Sequence, residues 1–512
     1  MTLKRPFALL AAGAALLLTT VGVAPSASAH GDADRFERLR AELSAGSNTP
    51  LVASPNVSLL ASQPGSTGIS GCFMRSAPLF VMSNLDSVRV YDVSDPAAPE
   101  LTGALPSLQF ENEAMNCGER RTANGTERFA LIGVDLYQAS PGDLEHVNTP
   151  ANGGYELIVV DVTDPANPRV RSRVPGTTST HTVACVQETD CRYAYSAGDS
   201  DTDSFSIFDL RNLDRPRELD SLPDKPGVQP FTSPTAAHKW NFDNAGYGTH
   251  TGFDGSAIFD VSEPRRPRLV ATTGKAGRGE SPDGTPNGYN DFIHHNSFRP
   301  NAKAFRPHAA PSFANGNVLL VTEEDYMQTD CALAGSFQTW HVRSLNGKPG
   351  GIVPLDKVEL ADLGSFPVPQ DAFCSAHWFD YHPSGIVAIG FYGGGTQFLD
   401  VRSPEDIKPY GHATWGASEV WDSYWVPRYT DAGSARGKTN IAYAVDAVRG
   451  LDVYRVELPG GKGTSAPAML GSAGPFGSLS WPQDALPILL VVLAVTGFGV
   501  LRRRTAVAAR EG

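Results

Sequence analysis

The sequence predicts an all-β fold, a seven-bladed β-propeller closed by an N-terminal velcro strand, and three observations carry this prediction. A pattern of an apolar run, an aspartate and a proline-containing turn recurs, for example as VRVYDVSDPAAP at 88–99 and LIVVDVTDPANP at 157–168. Two strand-like runs precede a copy and another follows it, which gives four short strands per unit. The 51 glycines and 39 prolines among 512 residues indicate a chain that is rich in turns.

The position that follows the apolar run occurs seven times. It is occupied by Asp92, Asp161, Asp209, Asp260, His341, Asp400 and Arg455, of which the histidine and the arginine mark degenerate copies. Self-similarity at a period of about 60 residues is typical of propeller blades. A series of β-sandwiches is the alternative, but each sandwich would need about 100 residues. We expect the aspartate to end its strand, because its side chain binds nearby backbone N–H groups and proline cannot continue the ladder.

The N-terminus has the features of a secretory signal peptide at residues 1–29. Lys4 and Arg5 precede an apolar run, and the small residues ASA stand directly before the predicted cleavage site. We expect residues 30–55 to form an N-terminal segment with a short surface helix at 31–46.

The propeller is predicted to span residues 56–460. The last repeat, LDVYRVELP at 451–459, has no outer strand after it, whereas NVSLLASQPG at 56–65 has the character of such a strand. We expect this N-terminal segment to complete blade seven and close the ring. Closure removes the unpaired edges that an open sheet would leave.

The repeats resemble the LVIVD repeat of β-propeller-like extracellular proteins. The strand LIVVD at 157–161 and the segments SVRVYDVSDPAAP and GLDVY carry the resemblance, which covers most of residues 70–460. The segment FQTWHVRS at 337–344 departs from the pattern most. The resemblance implies a repeat architecture and no particular activity.

The strand that begins each repeat would line the central channel. Aligning these strands as EAMNC, HTVAC, HKWNF, HNSFR and HWFDY places four histidines and a glutamate in one register. The candidate metal ligands are therefore His181, His238, His295, His377 and Glu113. Blade one has glycine at this position, and Glu419 is the equivalent residue in blade seven.

Imidazoles that converge on an axis are candidates for a transition metal site, since histidine is the commonest metal ligand. The cofactor would be copper, zinc, iron or nickel, and the sequence does not choose among them. A neighbouring carboxylate would bind the ion or act as a base on bound water. The alternative is structural: each histidine binds the backbone of a neighbouring blade or a water molecule. The histidine placement is also loosely similar to that of selenium-binding-type propellers, which have histidine-lined metal sites.

An acidic loop is a second candidate for ligand binding. The segment VTEEDYMQTDC at 321–331 brings Glu323 and Glu324 together directly after a predicted strand. It lacks the EF-hand pattern, so a solvated acidic rim is the favoured alternative to a calcium loop.

An aromatic segment is the third candidate. The stretch EVWDSYWVPRY at 419–429 contains Trp421, Tyr424 and Trp425. These side chains would form either a platform for a ligand such as a carbohydrate or packing between blades one and seven.

The six cysteines are even in number and belong to a chain with an export signal, which favours disulfides over thiol chemistry. The blade alignment places Cys72, Cys117 and Cys185 at the same position of successive innermost strands, so Cys72 and Cys117 lie side by side on adjacent blades, while Cys191 follows Cys185 in the loop to the next strand. The predicted pairs are Cys72–Cys117, Cys185–Cys191 and Cys331–Cys374.

The C-terminus has the pattern of a membrane anchor. Residues 461–484 are rich in glycine, serine and proline and are predicted to form a flexible stalk. The apolar run at 485–501 is at the short limit for a transmembrane helix, and the arginine-rich tail at 502–512 would stay cytoplasmic. The sequence therefore predicts an exported protein held at the cell membrane with its ectodomain outside.

Two hypotheses about function follow from the sequence. The first and favoured one is a surface-anchored propeller that binds an unknown extracellular ligand or protein, since a fold alone does not imply chemistry. The second is a metal-dependent enzyme, an oxidase or a hydrolase, that uses the histidines on the axis. The net charge of −13, from 42 basic and 55 acidic residues, makes nucleic acid an improbable partner.

Overall fold

Seven antiparallel sheets of at least four strands follow one another along the chain. The computed structural model describes residues 51–64, 66–106, 113, 115–134, 156–274, 288–289, 292–325, 328, 330–364 and 374–460. Each sheet corresponds to one predicted repeat, so the seven-bladed all-β propeller predicted from the sequence is confirmed.

The first three blades each contain four strands that are ordered in the sheet as they are in the chain. The strands of blade one are Gly68–Phe73, Leu79–Asn84, Ser87–Asp92 and Glu100–Pro106. Those of blade two are Asn116–Thr122, Gly125–Val134, Glu156–Asp161 and Arg169–Pro175. Those of blade three are Val183–Cys185, Tyr193–Ser196, Ile207–Asp209 and Arg217–Glu218, beside a small separate sheet of Ser204–Phe205 and Phe231–Thr232.

Blades four and five repeat the same order. The strands of blade four are Lys239–Phe242, Tyr247–Gly252, Gly255–Asp260 and Arg268–Thr272. Those of blade five are Ile293–Phe298, Val318–Glu324, Phe337–Val342 and Ile352–Val358. The helices of the described residues are short 3₁₀ turns at Glu188–Asp190, Ala302–Ala304, Phe313–Asn315 and Leu360–Leu363.

The last two blades each take a strand from the N-terminal part of the chain. Blade six contains Phe379–His382, Ile386–Gly390, Thr396–Asp400 and Lys408–Trp415, with Leu51–Ala53 as a fifth strand. Blade seven contains Val420–Tyr429, Ala435–Asp446 and Gly450–Val456, with Val57–Gln63 as its outermost strand.

The velcro closure that the sequence predicts is confirmed. The strand Val57–Gln63 lies antiparallel to Gly450–Val456, so that Val57 pairs with Val456 and Gln63 pairs with Leu451. The preceding strand Leu51–Ala53, against the outer edge of blade six, was not predicted within the 30–55 segment. This strand has three residues, which are too few to show an alternating pattern.

The recurring aspartate ends the third strand of its blade, as predicted. Its carboxylate accepts the backbone N–H two residues later, at 2.7 Å for Asp92, 2.9 Å for Asp161 and 3.0 Å for Asp400. This Asx turn supplies a backbone partner as the ladder stops, which explains why the residue type recurs.

The middle strands are apolar because both of their faces are covered. Val81 and Val90 of blade one pack in one buried cluster with Ile132 and Ile158 of blade two. Similar clusters lie between other neighbouring blades, for example between blades five and six. The core is therefore a series of layers between blades, and the innermost strands are free to carry polar residues.

All three predicted disulfides are present. Cys72–Cys117 joins the innermost strands of blades one and two with a Cα–Cα distance of 5.6 Å, and Cys185–Cys191 closes a hairpin of blade three. Cys331–Cys374 links blade five to the segment that enters blade six.

The predicted signal peptide, surface helix, stalk, membrane helix and basic tail lie outside the described residues. Among the residues that are described, none belongs to a helix with the length and apolarity needed to cross a membrane.

Candidate metal centre

The side chains of four histidines meet around the carboxylate of Glu113. His295 lies within the innermost strand of blade five, and His238 directly precedes that of blade four. His181 and His377 each stand two residues before the innermost strand of their blade. The structure thus brings together all five residues that the alignment placed in one register, and each of them is at most 4% exposed.

The distances within this cluster are those of direct contact. The Nε2 atoms of His295, His377 and His238 lie 2.5, 3.0 and 3.6 Å from Glu113 Oε1. The His181 Nε2 atom contacts the other oxygen, Glu113 Oε2. Two sets of potential ligands form, each with its donor atoms within 4.8 Å of one another: Glu113, His238 and His295, and His295, Glu324 and His377.

Backbone carbonyls orient two of the imidazoles. The Nδ1 atom of His238 lies 3.1 Å from the carbonyl oxygen of His295, and Nδ1 of His377 lies 2.6 Å from that of Trp421. A carbonyl oxygen only accepts, so Nδ1 carries the proton in both rings and donates it. In the neutral ring, Nε2 is then an acceptor that faces the Glu113 carboxylate. A second contact of this kind is typical of metal-binding histidines.

Burial favours the neutral form of the central imidazoles. It lowers the pKa of His295 to about 4, and the neighbouring His377 imidazole acts in the same direction against the Glu113 carboxylate. Burial also holds the pKa of His238 well below its ordinary value, again assisted by a neighbouring imidazole, that of His295. Both rings are therefore available as lone-pair donors at neutral pH.

Glu324 joins the cluster as a residue whose role the sequence did not predict. Its Oε2 atom lies 3.6 Å from Nε2 of His295, and its Oε1 atom accepts a 2.7 Å hydrogen bond from the Tyr392 hydroxyl. The hairpin explains this position, because Ile293 pairs with Glu324 across the first two strands of blade five. In an antiparallel hairpin, the end of the second strand lies beside the start of the innermost strand. Applied to the predicted strands, this rule would have placed Glu324 beside the axis.

Tyr392 holds this arrangement in an unusual backbone conformation. Its φ angle of 47° lies in the left-handed region, which is rare for a bulky side chain. Its ring centroid lies 4.5 Å from that of His377, while its hydroxyl reaches Glu324. Backbone strain of this kind concentrates at functional sites.

The acidic residues at 323–325 are not a solvated rim, contrary to the favoured alternative. Glu323 and Glu324 are 3% and 0% exposed. Glu323 accepts hydrogen bonds from the backbone N–H of Phe292, the Ser336 hydroxyl and the Gln338 amide. They are buried because the strand Val318–Glu324 extends to the channel before it turns.

The exposed aromatic platform is also corrected by the structure. Trp421 and Trp425 have no exposed surface, and Trp425 packs between blades six and seven with Phe398. Tyr424 is partly buried, and its hydroxyl accepts the backbone N–H of Gly71. Packing therefore describes these residues, but Trp425 packs between blades six and seven and not between one and seven as predicted. Tyr424 and Trp425 also line a central cavity.

Glu419 takes a different role from the one its register predicts. Its Oε1 atom accepts a 2.9 Å hydrogen bond from the indole N–H of Trp421. The ligand sets found among the described residues contain Glu113 and Glu324 as their carboxylates and do not include Glu419.

The cluster has dimensions that suit a metal ion. For bonds of about 2.1 Å, neighbouring ligand atoms of a tetrahedral ion lie about 3.4 Å apart. The Glu113 contacts to His377 and His238 fall close to that value, whereas the contact to His295 is that of a hydrogen bond. Imidazole and carboxylate ligands together suit zinc, copper, iron and nickel.

No family model matches the chain, and no curated protein matches it. Among solved structures, the chain is similar to the β-propeller domain of Cps50 (Swd1) from Myceliophteria thermophila, with 11% identity and a TM-score of 0.47. That match covers 78% of this chain and 100% of the other. The fold assignment rests on the seven sheets described above, and propellers commonly serve as scaffolds for protein interactions. The resemblance to the LVIVD repeat stays a prediction.

Proposed function

We propose that this protein binds a transition metal ion on the propeller axis and uses it as a reactive centre. One observation carries the proposal: the Nε2 atoms of His238 and His377 face the carboxylate of Glu113 while their Nδ1 atoms are held by backbone carbonyls. A neutral imidazole in this orientation presents a lone pair to an anionic oxygen. Two acceptors that face each other in a buried site repel unless a cation or a proton lies between them, and one proton on Glu113 could serve only one of its imidazole contacts.

A purely structural role for the histidines is less consistent with this geometry. It would require the Nε2 atoms to carry protons, and with Nδ1 already protonated the rings would then be cationic. Burial opposes that charge at His238 and His295. Several imidazolium ions around one carboxylate would also leave excess positive charge in the interior, which is costly.

The ligands would come from four blades. Glu113, His238 and His295 would hold the ion, and His377 with Glu324 would complete the shell or place a second carboxylate beside it. A bound ion would supply a Lewis acid or an activated water, and one carboxylate left off the metal would accept a proton. A metal-dependent oxidase or hydrolase reaction is the activity that such a centre supports.

We also propose that the centre works outside the cell, on a propeller tethered to the membrane. The signal-like residues 1–29 and the apolar run at 485–501 with its arginine-rich tail support this location. The resemblance of the repeats to the LVIVD family of extracellular proteins is consistent with it. The propeller would then also present its loops to an extracellular ligand or protein.

Metal analysis of the purified full-length chain tests the proposal. After dialysis against zinc, copper, iron(II) or nickel, we expect about one equivalent of one metal to remain bound in the wild-type protein. The His238→Ala, His295→Ala double variant should retain less than about a tenth of an equivalent, because it removes two lone-pair donors. Circular dichroism would establish that the variant is folded.

A matched control separates this site from adventitious binding. His412→Ala removes a partly buried histidine from the outer strand of blade six and should leave the bound metal unchanged. Less than a tenth of an equivalent of each metal in the wild-type protein would overturn the proposal. Equal retention by the double variant would do the same.

A further inference from the structure

A cavity lies beside the candidate metal centre, and the tryptophan Trp378 both lines the cavity and packs against the centre. It has a volume of about 200 Å³, and its walls include Lys239, Ser297, Trp378 and Asp422. The ring of Trp378 packs against His295 with a centroid distance of 4.6 Å, while the Lys239 Nζ atom lies 4.8 Å from the same ring. Lys239 and Ser297 stand one and two residues beyond His238 and His295, so the repeat that builds the candidate metal centre also builds this cavity.

Lys239 is a buried cation whose ammonium lacks a hydrogen-bond acceptor. The residue is 5% exposed, and among the described residues its ammonium has no hydrogen bond and no ion pair within 4.0 Å. The other cations of the cavity wall are paired, Lys438 with Asp380 and Arg75 with Glu188. Lys239 is therefore the cation of the described wall that has no paired anion.

Other donors around the cavity also lack acceptors. The Ser297 hydroxyl and the indole N–H groups of Trp378 and Trp425 are buried and have no hydrogen-bond partner among the described residues. The acceptors are fewer. One oxygen of Asp422 accepts the Tyr424 hydroxyl, and the other has no partner. These atoms have almost no accessible surface, so the Lys239 ammonium is the donor that an anion in the cavity would contact.

We propose that this cavity binds a small carboxylate, with one carboxylate oxygen on the Lys239 ammonium and the organic part against the Trp378 ring. A carboxylate oxygen matches a wall that offers one cation without a paired anion. The volume is below the roughly 300–1,000 Å³ of pockets for drug-sized ligands, which limits the occupant to a small acid.

The electrostatics of Asp422 are compatible with an anion. Burial raises the pKa of Asp422 well above its ordinary value, which favours the uncharged form of its carboxyl. The other two cations of the wall are balanced by their carboxylate partners, so an anion in the cavity would meet the charge of Lys239. The proposal does not depend on a bound metal, because Lys239 and Trp378 are not among the candidate ligands.

Titration of the chelator-treated full-length protein with acetate and benzoate tests the proposal, with acetamide and benzamide as uncharged analogues of the same shape. Chelation keeps the acids from binding to a metal ion instead. We expect saturable heat in isothermal titration calorimetry for at least one acid, and at least about tenfold weaker binding of its amide. Lys239→Met should weaken binding of the acid by a similar factor.

Two comparisons make the result decisive. Lys408→Met removes an exposed lysine of blade six that pairs with Asp406, and it should leave the affinity unchanged. The amide comparison uses the wild-type protein, so the test does not depend on Lys239→Met being folded. No binding of either acid, or equal binding of acid and amide, would overturn the proposal. Unchanged affinity in a folded Lys239→Met protein would overturn the role of the lysine.

Discussion

Single residues decide which blades contribute a side chain to the axis. Blade one has Gly68 where blades three to six have histidine, and the structure shows why. A Cβ atom at this position would lie 2.8 Å from Val445 Cγ1 and 3.0 Å from the carbonyl oxygen of Gly450. The closing contact between blades one and seven therefore leaves no room for a ligand there, and the candidate metal ligands come from blades two to six.

The buried His250 belongs to the core and not to the candidate metal centre. His250 lies in the second strand of blade four, with Nε2 2.7 Å from the Ala197 carbonyl oxygen and Nδ1 2.8 Å from the Ser233 hydroxyl. Its ring stacks on Trp240 at 4.2 Å. Both ring nitrogens of the neutral imidazole thus have hydrogen-bond partners, which is the structural role that a lone buried histidine usually has.

His250 should make stability depend on pH. Burial lowers its pKa to about 3 in the folded state, against about 6.5 in the unfolded chain, so the unfolded state binds more protons. The contribution of His250 to the free energy of unfolding is complete above pH 6.5. It is lost progressively as the pH falls from there toward 3. Between pH 7 and 5 we expect this residue to lower the free energy of unfolding by about 2 kcal/mol.

Urea unfolding of wild-type and His250→Gln proteins at both pH values measures this contribution. The difference between pH 7 and 5 should be about 2 kcal/mol smaller in the variant, because glutamine does not titrate. His308→Gln, at an exposed position, should keep the wild-type pH dependence. An identical pH dependence in His250→Gln would show that this imidazole is not the group that resists protonation.

At the scale of elements, the third strand of each blade could be predicted, but the first residues of the innermost strands could not. A run such as LIVVD followed by an Asx turn combines an apolar strand with a residue that ends it, so both signals agree. The innermost strands are mixed in polarity, and here the prediction placed the boundary too early. Glu113 and His377 precede their strands by three and two residues. Register could still be read because the repeats share it.

The velcro strand gives a test at this scale. Val57 is 5% exposed and packs in the core between blades six and seven, whereas its neighbour Ser58 points to solvent. Val57→Asp should lower the free energy of unfolding by about 3 kcal/mol, because it buries an unpaired carboxylate. Ser58→Asp should stay within about 0.5 kcal/mol of wild type.

Guanidinium unfolding followed by tryptophan fluorescence would measure both variants, since Trp425 lies in the same cluster as Val57. Similar stability of Val57→Asp and wild type would show that the closure of blade seven contributes little to the fold.

At the scale of the whole molecule, the candidate centre is an outcome of the repeat. Its ligands are distant in the sequence, and they meet because equivalent positions of successive blades approach a common axis. The alignment could therefore predict Glu113 and the four histidines without any local motif. It could not predict Glu324 or Asp422, because neither occupies the shared position and each reaches the channel through the geometry of its own blade.

A metal ion that joins four blades should stabilise the whole propeller. An ion that binds only the folded state adds about 4 kcal/mol when its free concentration is 1,000 times its dissociation constant. We therefore expect chelation by EDTA to lower the melting temperature of the wild-type protein by several degrees, and the metal to restore it. In the His238→Ala, His295→Ala variant, which lacks one ligand each from blades four and five, the melting temperature should be the same with and without chelator.

Calorimetry of both proteins at several metal concentrations measures the effect, which should grow with the logarithm of metal concentration only in the wild type. If chelation lowers both melting temperatures equally, the stabilising ion binds elsewhere and the axis is held together by hydrogen bonds alone.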